Sequence, residues 1–201
     1  MHRPVRRLAQ LYAGLVLYGA SMALQIRAGL GLDPWDVFHQ GVADRTGLSF
    51  GTIVAITGAA VLLAWIPLRQ RPGFGTVSNV VVIAVAVDGA LALLPAAGTM
   101  PVAVVMLLAG VGLNGVASGA YIGANLGPGP RDGLMTGLVR RTGGSVRVVR
   151  TSIEVGVLAV GAALGGTVGI GTLLYALSIG PLVHVLLPRF TVPVPVPVAA
   201  V

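Results

Sequence analysis

The sequence predicts an all-α polytopic membrane protein: six transmembrane helices in two inverted-topology three-helix repeats, each with one short amphipathic or re-entrant helix. Three observations carry that expectation. The chain is 55% hydrophobic and only 9% charged over 201 residues, whereas charged residues make up about a quarter of an ordinary soluble domain. The stretch GLGLDPWDVFHQGVADRTG, Gly29 to Gly47, returns without a gap as NLGPGPRDGLMTGLVRRTG, Asn125 to Gly143, at an offset of 96. The arginines, finally, are distributed as membrane topology requires.

The repeat extends beyond its signature. Leu11, Ala13, Gly14 and Gly19 match Leu107, Ala109, Gly110 and Gly115, and Gly75-Thr76 match Gly171-Thr172. Repeat one is placed at residues 1–98 with its short helix at 34–46. Repeat two is placed at 99–189 with its short helix at 130–142, and 190–201 is a tail.

A basic start, His2 to Arg7, precedes an apolar run from Leu8 to Ala28. That run is too long for a signal peptide and recurs at Val102 to Ala124, so it reads as a retained span. Gly51 to Leu68 covers about 27 Å as a helix, just enough for a hydrocarbon core of roughly 30 Å. RQRPGFG turns the chain, and Thr76 to Leu94 is the third span. Repeat two follows with Val102 to Ala124, Val148 to Leu164 and Thr172 to Leu187. The tail TVPVPVPVAAV alternates proline with valine, favours polyproline II and is expected to be disordered.

Three spans per repeat is an odd number, so the second copy enters from the opposite side. With the N-terminus inside, Arg3, Arg6, Arg7, Arg69, Arg71, Arg131, Arg140, Arg141, Arg147, Arg150 and Arg189 fall on the inner side; only Arg27 and Arg45 fall outside. That is a strong positive-inside bias, which places both termini on the cytoplasmic side of a plasma membrane. All 13 basic residues are arginine and the net charge is +7. Since this charge serves orientation, nucleic-acid binding is not expected.

Asp33-Pro34-Trp35-Asp36 is a well-formed helix start, with an N-cap aspartate, proline at the first helical position and a carboxylate near the positive end of the dipole. Glycine replaces the cap in the second copy, while Pro130 and Asp132 remain. Helices of about 13 residues cannot cross a bilayer. Two readings stand open: an interfacial amphipathic helix anchored by Trp35, or a re-entrant half-helix whose N-terminus points at a central site.

Candidate path residues are Asp36 and Asp132 at the short-helix starts, Asp88 and its repeat mate His184 as titratable stations within spans three and six, and Tyr18, Gln25, Asn114 and Tyr121 as a polar stripe recurring on spans one and four. Ionisable groups in hydrocarbon are costly enough to suggest function. Glu154 lies one turn beyond Arg150, which an i, i+4 pair explains. The absence of cysteine removes disulfides, thiolate metal sites and cysteine nucleophiles. No nucleotide loop, metal-ligand cluster or catalytic nucleophile with its base is recognisable, so neither cofactor, metal nor enzyme activity is expected.

GLGLDPWDVFHQGVADRTGLSFGT, together with GPRDGLMTGL and GIGTLLYALSIGPLVH, resembles the YczE/YyaS/YitT group of bacterial integral membrane proteins across about Leu8 to Pro188. The resemblance implies a polytopic bacterial membrane protein, usually assumed to be transporter-like, and brings no binding or catalytic residues with it.

The functional expectation is a small transporter-like or channel-like protein moving a small solute or ion between its two halves. The alternative is a non-transporting scaffold that recruits a cytoplasmic partner or anionic lipid through an inner basic face of Arg131, Arg140, Arg141, Arg147 and Arg150. A chain this short is also compatible with a homodimer.

Overall fold

The computed structural model describes residues 4–193. These residues form eight helices: α1 (Pro4–Ala28), α2 (Pro34–Thr46), α3 (Phe50–Trp65), α4 (Phe74–Leu93), α5 (Met100–Gly123), α6 (Pro130–Thr142), α7 (Val146–Ala163) and α8 (Ile170–Phe190). No strand occurs among the described residues. Each of the last four helices begins 96 residues after its counterpart among the first four.

Helices α1, α4, α5 and α8, of 25, 20, 24 and 21 residues, are long and apolar enough to cross a membrane. A fifth candidate is α2 with α3, bent by 117° at the short break between them. The chain is accordingly a membrane protein with four such helices, or five counting the bent pair. Large apolar side chains such as Val81, Val85, Val105, Leu108, Leu173 and Leu177 point outward. In water so much exposed apolar surface would be a liability; in lipid it is the expected exterior.

The centre is the α1–α5 pair, with α4 packed on α1 and α8 packed on α5. Small residues let the backbones approach: a Cβ on Gly14 would lie 2.8 Å from the Tyr121 nitrogen, and one on Gly110 would lie 2.8 Å from Cγ of Gln25. Close approach of this kind drives helix association where lipid leaves no hydrophobic force. The shorter helices pack across the halves, α2 against α7 and α3 against α6.

The loop before each short helix is anchored at the start of a long helix from the other half. Gly75 N–H donates to Leu126 O at 2.7 Å, and Gly171 N–H donates to Leu30 O at 2.8 Å. Both loops turn at a glycine of positive φ, Gly31 at 112° and Gly127 at 128°. A Cβ would collide there with Gly169 N at 2.6 Å and with Thr76 Oγ1 at 2.7 Å, so both the backbone angle and the contact demand glycine. The glycine-rich leads of the signature thus bring the start of each short helix close to foreign backbone.

The first turn of α2 is buried: Asp33, Trp35, Asp36, Val37 and His39 are all less than 9% exposed. Only its C-terminal end, from Asp44, is exposed. The expected proline-rich tail lies mostly outside the described residues, as does Arg3. Its first residues are held in place, Val192 N–H donating to Gly123 O at 2.9 Å and Asn125 Nδ2 donating to Val192 O at 3.0 Å.

Candidate functional site

The α2 start is built as its sequence dictates. Asp33 sits in an extended conformation and its Oδ1 accepts from Trp35 N at 2.9 Å and Asp36 N at 3.1 Å, while Pro34 occupies the first helical position. Spacing of three puts Asp33, Asp36 and His39 on one face. His39 Nδ1 lies 3.1 Å from Asp36 Oδ1, and a neutral ring carrying its proton there donates to the carboxylate.

The start of α6 supplies the cation this face lacks. Arg131 places its guanidinium nitrogens 3.6 Å from Asp33 Oδ1 and 3.8 Å from Asp36 Oδ1, with its central carbon 4.9 Å from the centroid of the Trp35 ring. Arg131 and Trp35 are repeat mates, so the two short helices meet at equivalent positions near their N-termini. Burying two carboxylates is costly unless a cation is close. Arg131 meets that need and uses the indole face for further support. Behind it, Trp65 Nε1 donates to Pro130 O at 3.0 Å, which fixes the first turn of α6 to the end of α3.

These helix starts border a cavity of about 270 Å³ that Tyr18, Asp33, Asn79, Tyr121, Arg131, Asp132, Arg150, Glu154 and Tyr175 help to line. The volume is that of a small organic molecule. Tyr121 OH donates to Asp132 Oδ2 at 3.4 Å, and the Tyr18 and Tyr121 rings meet edge to face at 6.0 Å. Arg150 Nε donates to Glu154 Oε1 at 2.9 Å, the i, i+4 pair expected from sequence, here on the cavity wall. Beneath the tyrosines, Tyr175 OH donates to Asn114 Oδ1 at 3.1 Å, Asn114 Nδ2 to Ser21 Oγ at 2.9 Å, and Ser21 Oγ to Tyr18 O at 2.6 Å. That chain joins α1, α5 and α8 in a satisfied polar core.

Of the candidates expected from sequence, Tyr18, Tyr121 and Asp132 line the cavity. Asp36 is buried one layer behind, held by His39 and Arg131. Asn114 belongs to the supporting chain, and Gln25, fully buried, donates to Ser21 O at 3.3 Å. Asp88 and His184 are elsewhere. Asp88 accepts from Ser49 Oγ at 2.6 Å and from Gly51 N at 2.7 Å, tying α4 to the start of α3; His184 is exposed on α8. Asp88→Ala is therefore expected to lower stability by about 1 kcal/mol, mainly the cost of stranding the buried Gly51 N–H, since Ser49 is exposed. Thermal unfolding in detergent checks this.

Two arginines expected on the inner side also border the cavity: Arg131 faces Asp33 and Asp36, and Arg150, with 55% of its side chain exposed, lines it as well. Sequence reasoning also passed over Asp33 as more than a cap, and over Trp35 and His39 as site residues. One signal was present: an arginine in the first turn of α6 faces the positive end of its own helix dipole, an unfavourable place that implies a buried anionic partner.

Two relatives match most of the chain, and one of them is described as a membrane protein. The chain is 38% identical over 174 residues to an "Uncharacterized protein" of Haemophilus influenzae, covering 87% of this chain and 80% of that one. It is 35% identical over 181 residues to the "Uncharacterized membrane protein YczE" of Bacillus subtilis, covering 89% and 84%. No solved structure matches it. The description "Family of unknown function (DUF6198)" matches residues 5–188, nearly the whole chain with both halves and the cavity between them, and the chain belongs to that family.

Proposed function

We propose that the protein moves a small polar solute, without changing it chemically, across the bacterial inner membrane through the cavity where the α2 and α6 N-termini meet. The observation that carries this reading is the pair of short helix starts that brings Asp33, Arg131 and Asp132 to one cavity. Half-helix N-termini at the interface of inverted repeats are a recurring way to bind solutes near the bilayer midplane.

The reading places six spans, α1, α3, α4, α5, α7 and α8, in two inverted repeats at residues 1–98 and 99–189, with both termini cytoplasmic. It takes α2 and α6 as re-entrant half-helices. Matched contacts support it: α1 on α4 with α5 on α8, α2 on α7 with α3 on α6, and the paired loop anchors at Leu30 and Leu126. The burial of the first turn of α2 also favours a re-entrant over an interfacial helix. Irregular backbone at membrane depth is tolerated where it is buried in protein or lines a cavity, and both leads meet that condition. The scaffold alternative loses ground because Arg131 is engaged by Asp33 and Asp36.

The test is efflux from liposomes loaded with a mixture of small amino acids, organic acids, amines and sugars. At least one solute should leave faster through the reconstituted protein than from empty liposomes, and Asp132→Asn should slow it. No solute leaving faster, from vesicles shown to contain folded protein, would refute the reading.

A further inference from the structure

The two short helices differ at one position that the repeat otherwise equates. At α2 the cap is Asp33, whose carboxylate accepts from the N–H groups of Trp35 and Asp36. At α6 the cap position is Gly129, with the same extended backbone, φ −62° and ψ 157°, and no side chain bonds to the helix end. The mates of those two donors, the N–H groups of Arg131 and Asp132, therefore lack the carboxylate that α2 provides for itself. Residues Gly129 to Asp132 line the cavity.

We infer that the uncapped start of α6 seats the carboxylate of a small zwitterion with an amino-acid head group, and that Asp33 receives its ammonium. The inference rests on the solute reading of the cavity. Polar atoms crowd this helix start: a Cβ on Gly129 would lie 3.1 Å from Tyr121 OH, 3.2 Å from Asp132 Oδ2 and 3.9 Å from Asn79 Nδ2. Asn79 Nδ2 is thus a donor near the two helix amides, while the Tyr121 hydroxyl proton goes to Asp132. Arg131 adds a cation, and the dipole favours an anion at this end.

A second observation points to the other half of the ligand. Asp33 is 2% exposed, lines the same cavity, and its Oδ2 has no hydrogen-bond partner. A buried carboxylate oxygen left open is costly and calls for a donor; an ammonium supplies one. Because Asp33 and Arg131 are themselves only 3.6 Å apart, the acidic and basic ends of the ligand must be close together, as they are in an α-amino acid. Asp132 beside a ligand carboxylate is no obstacle in principle. Asp33 and Asp36 already coexist in the same relation at α2, with Arg131 near both.

The test uses the full-length protein in detergent, with each common L-amino acid at millimolar concentration, and thermal unfolding and equilibrium binding as readouts. At least one amino acid should raise the unfolding temperature, while its amide and its deaminated acid should bind at least about tenfold more weakly. Gly129→Asp, which restores the missing cap, should be more heat-stable than Gly129→Ala and should lose amino-acid binding at least about tenfold, whereas Gly129→Ala retains it. If Gly129→Asp binds as well as Gly129→Ala, the inference is wrong. It is equally overturned if no amino acid shifts the parent while a sugar or simple amine does, and in that case the solute-carrying reading still stands. If no solute of any class binds and liposome efflux is blank, both fall.

Discussion

Replacing Arg131 with leucine should destabilise the protein by about 3 kcal/mol, the low end of the cost of removing one partner from a buried ion pair. The low end applies because the Arg131 side chain keeps 31% of its surface, whereas Asp33 and Asp36 keep 2% each. Without the guanidinium, two carboxylates remain buried against each other at the start of α2. The loss should appear as a lower unfolding temperature in detergent and poorer recovery from the membrane. Adding Asp33→Asn and Asp36→Asn to the leucine variant should restore much of the stability, since the buried charges are then gone. A leucine variant as stable as the parent would mean that the arginine does not neutralise this pair.

Trp65→Ala is expected to cost about 3–5 kcal/mol, the range for truncating a buried large aromatic. Trp65 is 1% exposed and packs with Trp35 and Val61, with Leu134, Ile153 and Val157 around them. Its ring fills the space above Gly133, where any Cβ would collide with it, and its N–H holds the carbonyl of Pro130. Trp65→Phe separates the two contributions, keeping most of the volume and removing the indole bond to a carbonyl that still accepts within α6, for an expected loss of about 0.5–1.5 kcal/mol. Both variants should loosen the α6 start, so ligand binding should weaken together with stability. Unfolding temperatures of the three proteins, compared with and without ligand, check both statements.

The sequence was most informative where a physical constraint acts locally or repeats. Apolar composition, an aspartate cap before proline, and a period of 96 residues placed every helix of the structure, the two short ones included. The cavity was harder to read because it is made by pairing across halves, which no local pattern encodes. Tyr18, Tyr121 and Asp132 were legible as recurring polar positions in apolar surroundings. Arg131 was not, because the rule that counts arginines by side treats each as a surface charge, and this one lies against Asp33. Asp88 drew attention as an ionisable group within an apolar helix, yet its oxygens are engaged by Ser49 and Gly51. Charge in an apolar run marks a need for partners; whether those partners are structural or a solute depends on the fold.

The most direct test of the central claim is the depth and wetness of the cavity. The chain has no cysteine of its own, so Thr57→Cys on the cavity wall in α3 and Asp44→Cys at the exposed end of α2 can be compared in liposomes. The account expects a membrane-impermeant thiol reagent to modify Asp44→Cys rapidly from one side, and Thr57→Cys slowly but measurably, with a bound amino acid slowing the second reaction alone. Modification of Thr57→Cys only by a membrane-permeant reagent, indifferent to any solute, would contradict it: α3 would then face lipid at that point and no polar path would reach the meeting of α2 and α6.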